Sequence, residues 1–403
     1  MDLRTGQSLW QGLRGPIPEH PTLEGDARAE VVIIGGGVTG ALLSWILVQH
    51  GIEVLLVDKR HPATGSTAAS TGLLQYEVDT PLVELIEKVG QEQAVHAYRR
   101  GVQAIDELEE LAAQLSAKVD FERRKSLYVA TTTDDVADLR AEYECLHHFG
   151  FETTYLEPNA VRDVGNMAAP GAILSAVAAQ VNPLALTLGL LQRAEAAGVR
   201  IYGQTTVEQV SESPGHVELR TSTGTIRAQA VVYATGYEAC ESLGFSPGTL
   251  RSTFALAART ENVATSCPPE LLHWETARPY FYSRHAHDNQ YLILGGKDIA
   301  EAETHADPKL LAEKTASLVQ EFQQRFPACT IVPEYAWAGT FAETEDGLAY
   351  IGKLPKRERC YAALGYGGNG ITFSMIAARL IRDLYIRRET PDSAVFSFSR
   401  KSA

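Results

Sequence analysis

The chain has 403 residues, 45% of them hydrophobic and 21% charged, with a formal net charge of −14. That balance belongs to a globular chain able to bury a core, and the length predicts two domains built closely together. So acidic a surface repels phosphate backbones, which sets aside a nucleic-acid partner.

The cysteines Cys145, Cys240, Cys267, Cys329 and Cys360 are scattered, without a C-x-x-C pair. They read as free thiols of a reducing compartment rather than a disulfide framework or zinc knuckle. The stretch 1–25 carries Pro16, Pro18 and Pro21 and no apolar core of a signal peptide. No run approaches the ~18 apolar residues of a membrane span, and a cytoplasmic protein is expected. His147-His148 and His285-x-His287 lack carboxylate or thiol support at ligand spacing, so no metal is expected.

In chain order, residues 30–34 read as a short buried parallel strand. A glycine cluster follows, then a helix over 38–50 closed by Gly51, then a second strand over 53–57 ending at Asp58. Together they form one βαβ unit. Residues 60–75 read as a loop entering a short helix, and 81–118 as one long helix with Leu82, Leu85, Ile86 and Val89 on one face. A strand is predicted over 125–133, a helix over 135–150, and a helix over 183–198 with Pro183 in its first turn. Short strands follow over 200–206, 216–221 and 225–233, with more within 250–260 and 279–296. A helix over 309–326 precedes a final strand, glycine turn and helix over 361–388. Dinucleotide signals lie at both ends and in the middle, so the domains are expected to be discontinuous. Residues 1–78, 160–245 and 338–403 would form the cofactor domain, and 79–159 with 246–337 a mixed-sheet substrate domain.

The first glycine cluster spells G-x-G-x-x-G at Gly35, Gly37 and Gly40. It follows a strand and opens a helix, and the next strand ends in an acid, which makes it a dinucleotide fingerprint. Gly35 permits the tight turn, Gly37 lets the backbone approach a pyrophosphate, and Gly40 lets helix and strand pack closely. The helix start at Val38 and Thr39 supplies N–H groups and a positive dipole end for the phosphates. Asp58, beside Lys59, suits the ribose hydroxyls. This geometry serves NAD and FAD alike. Ser66, Thr67, Ser70, Thr71 and Gly72, at the second helix start, suit further contacts to an extended dinucleotide. Gln75, Tyr76, Glu77 and Asp79 follow and would edge a pocket.

Ala234-Thr235-Gly236 ends a strand, and two C-terminal stretches run over 337–352 and 363–374. At these residues the sequence resembles the D-amino-acid-oxidase-like family of FAD-dependent oxidoreductases. The resemblance implies an α/β (α+β) protein with an FAD-binding Rossmann-like domain and a mixed-sheet substrate domain. It implies that Thr235 and Gly236 close over FAD and that Val207 lends its backbone to the adenine. It also implies a C-terminal flavin clamp containing Asp346, Gly367, Gly368, Asn369, Gly370, Ile371 and Thr372. Residues 365–370 formally repeat G-x-G-x-x-G, but no later strand ends in an acid. The better reading is a helix start aimed at the flavin, worth ~0.3–2 kcal/mol where negative charge develops on reduction.

The family's reaction removes a hydride from a carbon bearing nitrogen, and water hydrolyses the imine. The substrate would be a small amine or amino acid. Ala338-Gly339-Thr340 offers no cysteine where some members attach flavin, so non-covalent FAD is expected. Phe341 and Ala342 replace the arginine–proline pair with which amino-acid-oxidising members hold a carboxylate. That favours an amine, or a carboxylate held elsewhere. Alternation places Arg278, Tyr280, Tyr282 and Arg284 on one strand face, as an aromatic cage or an arginine fork. A solvated strand face is the alternative. Lys297 is a candidate to assist oxygen above the flavin; without a cation there, electrons would pass to a quinone or carrier protein. An NAD-linked dehydrogenase and a flavin subunit without its own substrate remain competing readings.

Overall fold

The computed structural model describes residues 4–14, 16–238, 243, 248–260, 267–300, 307–388 and 390–400; Cys240 and the expected boundary at 245/246 lie outside them. The strands are β1 (Arg4–Gln7), β2 (Ala27–Ile34), β3 (Val54–Val57), β4 (Leu73–Gln75), β5 (Glu122–Val129), β6 (Thr153–Leu156), β7 (Ala172–Gln180), β8 (Arg200–Tyr202) and β9 (Val207–Ser213). They continue with β10 (His216–Thr221), β11 (Thr225–Tyr233), β12 (Thr249–Arg259), β13 (Leu271–Glu275), β14 (Phe281–Ala286), β15 (Tyr291–Ile299), β16 (Pro333–Glu343), β17 (Tyr350–Lys353) and β18 (Cys360–Leu364). The helices are α1 (Leu9–Arg14), α2 (Val38–Val48), α3 (Leu82–Val89), α4 (Gln91–Ala113), α5 (Val136–His148), α6 (Pro158–Gly165), α7 (Pro183–Ala196), α8 (Pro308–Arg325), α9 (Gly370–Tyr385) and α10 (Asp392–Val395). None of the described helices is long and apolar enough to cross a membrane.

The strands form two mixed sheets. In the eight-stranded sheet the order β18-β11-β2-β3-β8 is parallel, with β17 antiparallel on β18 and a β9–β10 ribbon on β11. β3 is buried along its whole length, as its Val-Leu-Leu-Val text requires of a strand covered on both faces. Beside it, ten of the eleven residues of α2 are buried, because α7 packs on one flank and α9 on the other. Gly40 makes the contact between α2 and β2 possible: a Cβ there would stand 1.9 Å from the Gly35 carbonyl.

The ten-stranded sheet runs β1-β16-β12-β15-β14-β13-β5-β7-β4, with β6 on β7. One hydrophobic cluster joins the two halves, from Val31 and Leu56 through Leu42 and Met375 to Leu74 and Ala179.

Three expectations change. The single helix over 81–118 is two helices, α3 and α4, because Gly90 takes a left-handed turn at φ 85° and redirects the chain. The segment 160–245 divides between the sheets: β7 pairs with β4, β5 and β6, while β8 to β11 enter the other sheet. Residues 4–7, 73–75 and 338–343, expected with the cofactor domain, also pair in the ten-stranded sheet through β1, β4 and β16. Partners distant in the chain decide strand pairing, and local sequence patterns do not reveal them.

Asp346, expected at the flavin clamp, is instead a structural anchor. Its carboxylate accepts from Arg400 Nε and Nη2 at 2.7 and 2.8 Å and from the Leu348 amide at 3.0 Å. Both side chains of this pair are 1% exposed. The turn after β16 needs an internal acceptor, and the tail arginine supplies the countercharge. Arg400→Ala would leave a buried carboxylate unpaired and is expected to destabilise the protein by about 3–5 kcal/mol. Urea unfolding measures this, and a change under ~1 kcal/mol would show the pair to be dispensable.

Candidate functional site

A cleft of about 1960 Å³ opens where the sheets meet. Pockets for small ligands measure about 300–1,000 Å³, so this one has room for a dinucleotide and a further small molecule. One end is lined by Asp58, Lys59, Val207, Tyr233, Thr235 and Gly236. The middle is lined by Gly35, Gly37, Val38 and Thr39 on one side and Ser66, Thr67, Ser70 and Thr71 on the other. At the far end, Gln75, Glu77, Asp79 and the turn from Gly367 to Ile371 face Arg251, Thr253, Trp274, Arg278, Tyr280, Tyr282 and Asp298.

Local bonds explain how these groups are held. Asp58 accepts from the Gly36 amide at 2.7 Å and the Arg60 amide at 2.8 Å, which ties the fingerprint turn to the end of β3. Burial raises its pKa, and those two amides oppose the rise. Lys59 and Arg60 both pair with Glu238 just beyond Gly236. The Val38 amide donates to Thr67 Oγ1 at 3.0 Å, so the loop hydroxyl caps the first turn of α2. Thr39 Oγ1 lies 2.8 Å from Ser374 Oγ and 3.2 Å from Tyr366 OH, joining the starts of α2 and α9. Asn369 Nδ2 donates to the carbonyls of Gln75 at 3.1 Å and Glu77 at 2.9 Å, which fixes the glycine turn against the pocket edge.

Six expected residues stand behind the lining rather than in it. Gly40 packs under the turn, the role its spacing predicted. Gly72 lies against Val181, whose amide bonds the Gly72 carbonyl at 3.0 Å. Thr372 Oγ1 donates to the Gln75 carbonyl at 3.3 Å and is 3% exposed. Arg284 is corrected from a substrate fork to a buried brace: it donates to the carbonyls of Thr71, His285 and Val181 at 2.7, 3.0 and 3.1 Å. Burial lowers its pKa to about 9, and with all three nitrogens engaged it has no fork for a ligand. Lys297 is corrected as well. Its ammonium pairs with Glu321 of α8, and alternation along β15 puts its neighbour Asp298 in the cleft instead. Asp346, in the turn after β16, is likewise absent from the lining.

The structure adds residues that the sequence reading passed over. Asp298 follows Lys297 by one position, and Arg251 and Thr253 alternate along β12; period two was the available signal. Asp298 Oδ1 and Glu77 Oε2 are buried without a hydrogen-bond partner among the described residues. Burial pushes Glu77 up to about 7, with Glu142 adding to the rise, and pushes Asp298 up to about 6, with Asp79 adding to it. Asp79 Oδ2 accepts from the Gly368 amide at 2.9 Å, and burial raises its pKa too.

The residues suit a dinucleotide. Ser66 and Thr235 line the cleft, and their hydroxyl oxygens are buried without a partner among the described residues, so ligand oxygens would satisfy them. A Cβ on Gly37 would press to 3.0 Å from Thr67 Oγ1, so the bare backbone relieves crowding on this side of the cleft.

The sequence profile of the family described as FAD dependent oxidoreductase matches residues 30–384. The chain belongs to this family of FAD-dependent oxidoreductases. This flavoenzyme is 28% identical to a glycine oxidase from Geobacillus kaustophilus, over 93% of this chain and 97% of that protein. It is 24% identical to gamma-glutamylputrescine oxidoreductase from Escherichia coli, over 90% and 85%. The crystal structure of glycine oxidase from Geobacillus kaustophilus superposes with a TM-score of 0.78 at 24% identity, covering 94% of this chain and 100% of that one. L-proline dehydrogenase from P. horikoshii shares the fold with a TM-score of 0.76 at 18% identity, covering 92% and 96%. The resemblance read from the glycine motifs is thereby borne out, and FAD replaces the choice between two dinucleotides.

Two measurements test this flavoenzyme's site. Asp58→Ala removes the acceptor at the end of β3 and is expected to weaken FAD binding about tenfold or more. Fluorescence of FAD released on dilution reads this, and wild-type retention would count against the assignment. Glu77 has a raised folded-state pKa, from 4.5 to about 7, so its neutral form contributes stability that is full below 4.5 and lost as pH rises through about 7. Glu77→Gln is therefore expected to remove about 3 kcal/mol of pH-dependent loss between about pH 5 and about pH 8. Urea titrations at both pH values check it; identical pH dependence in both proteins would show that Glu77 is ionised throughout.

Proposed function

We propose that the protein removes a hydride from the CH–NH group of a small amine or amino acid, giving an imine that water hydrolyses. The observation that carries this reading is the meeting of the Gly367–Ile371 turn with the aromatic and charged wall of Trp274, Arg278, Tyr280 and Tyr282 in one cleft. Glycine oxidase and gamma-glutamylputrescine oxidoreductase, proteins similar over nine-tenths or more of the chain, support the same substrate range. Bound FAD would supply the two-electron acceptor for the hydride.

The chain's own residues would do the rest. Gly35, Gly37, Val38 and Thr39 hold the pyrophosphate at the start of α2, and Asp58 with Lys59 holds the ribose end. Val207, Thr235 and Gly236 enclose the adenosine, while Ser66, Thr67, Ser70 and Thr71 line the middle. Gly367, Gly368, Asn369, Gly370 and Ile371 flank the redox ring, and Thr372 fixes that turn from behind. Tyr280 and Tyr282 close the substrate space, and Arg278 lies over the Tyr280 ring at 3.7 Å. The amine reaches the ring neutral, because a nitrogen lone pair drives loss of the hydride. The binding is non-covalent. Of the described cysteines, Cys360 alone lines the cleft; it stands on β18, and burial pushes its thiol up to about 11.

A second reading concerns the acceptor. The turn of Lys297 toward Glu321 favours transfer to a quinone or carrier protein over oxygen. Cytoplasmic location fits either acceptor.

Anaerobic mixing with a panel of amines and amino acids is expected to bleach the flavin absorbance, and protein that stays yellow with the whole panel would refute amine oxidation. Reoxidation of the bleached protein is expected to be faster with a soluble quinone than with air. The reverse order would assign oxygen as the acceptor.

A further inference from the structure

We propose that the substrate carries a second, cationic group away from the carbon that is oxidised, and that Asp298, with Asp79 beside it, receives that group. The inference rests on the amine-oxidation reading and narrows it to diamine-like substrates.

The far end of the cleft holds an excess of acid. Glu77, Asp79 and Asp298 all line it, and none of the three forms an ion pair among the described residues. The arginines that act on them have other engagements. Arg251 pairs with Glu343, and Arg278 donates to the backbone carbonyl of Asp79 while its guanidinium lies over Tyr280. A substrate carboxylate placed here would meet the carboxylates of Asp79 and Asp298.

A buried oxygen points to the same ligand. Asp298 lines this end, and its Oδ1 is buried without a hydrogen-bond partner among the described residues. A carboxylate oxygen without a donor is costly to bury. Asp79 uses Oδ2 on the Gly368 amide, and the Asp298 carboxylate has Thr253 beside it on β12. The Asp298 carboxylate has no ion-pair partner among the described residues, and an ammonium would supply a donor and a positive charge together. Burial, followed by the neighbouring Asp79, raises the proton affinity of Asp298, which is the response of a carboxylate whose countercharge has yet to arrive.

The walls suit the rest of such a molecule. Trp274, Tyr280, Tyr282 and Phe341 line the same end, offering apolar faces for a methylene chain and ring faces for a cation. Tyr282 approaches Thr71, with its hydroxyl 3.5 Å from Thr71 Oγ1, so the acid at Asp298 stands on the substrate side of the cofactor loop. One amine would then sit neutral at the redox ring while the other stays protonated on Asp298.

The test compares n-butylamine with its terminal diamine, putrescine, as reductants of the holoenzyme under anaerobic conditions. The diamine is expected to reduce the flavin with at least about tenfold greater efficiency. Asp298→Asn is expected to bring the diamine-to-monoamine ratio close to one, and Asp298→Glu to restore part of it. A wild-type ratio near one, an unchanged ratio in Asp298→Asn, or a simple amino acid that outperforms both amines would overturn the second-cation inference alone. Should Asp298→Asn fail to retain FAD, the wild-type ratio decides. Failure of every amine and amino acid to bleach the flavin would instead remove the parent reading.

Discussion

The site depends on one junction, the contact between a helix near the beginning of the chain and a helix near its end. Thr39 on α2 bonds Ser374 on α9 and Tyr366 in the turn before it. The junction forms only because α2 lies so close to β2, with Gly40 seated on the Gly35 carbonyl. A side chain at position 40 would push α2 off the sheet and carry Thr39 out of reach of α9. The glycine turn at 367–370 would then lose its fixed distance from the fingerprint turn, and the cleft between them would no longer match one ligand. Helix burial follows from the same contact, since α2 is enclosed by α7 and α9 as well as by the sheet.

Charge is arranged along the cleft with a direction. At the Asp58 end, Lys59 and Arg60 share the single carboxylate of Glu238, and the Asp58 carboxylate is occupied by backbone amides. At the other end, Asp79 and Asp298 form no ion pair among the described residues, while Arg251 pairs with Glu343 and Arg278 lies over Tyr280. That end of the cleft therefore bears an excess of acid. Such an excess is unfavourable in the absence of a ligand and becomes an attraction once a cation arrives. Arg284 shows the converse treatment of a buried charge: three carbonyls surround it, and it braces the loop beneath the cleft instead of facing the substrate.

Much of this was legible in the text of the chain. The fingerprint glycines, the acid at 58, the hydroxyl-rich loop and the C-terminal glycine turn all line or support one cleft, because each motif is a local backbone requirement that a short sequence can state. Where the reading failed, the cause was geometric. Lys297 and Asp298 are adjacent, and nothing in two neighbouring letters says which of them faces a ligand; the pairing of β15 with β12 and β14 decides it. Arg284 shares a strand with Tyr282, but the packing of the Thr71 loop over it turned a candidate fork into a brace. Asp346 looked like part of the clamp until Arg400, fifty-four positions later, claimed it.

The sequence by itself determined the class of cofactor domain, the parts of the chain that would approach a dinucleotide, and the family to which the protein belongs. These follow from residues whose demands are local: glycines where the backbone must come close, and an acid where a strand ends. Only the tertiary structure decided which strands share a sheet, which charged side chains are consumed as supports, and which acids are left open to the cleft. Those outcomes depend on burial and on partners far away in the chain, and a carboxylate acquires its chemistry only when the surrounding fold removes its water and withholds its countercharge.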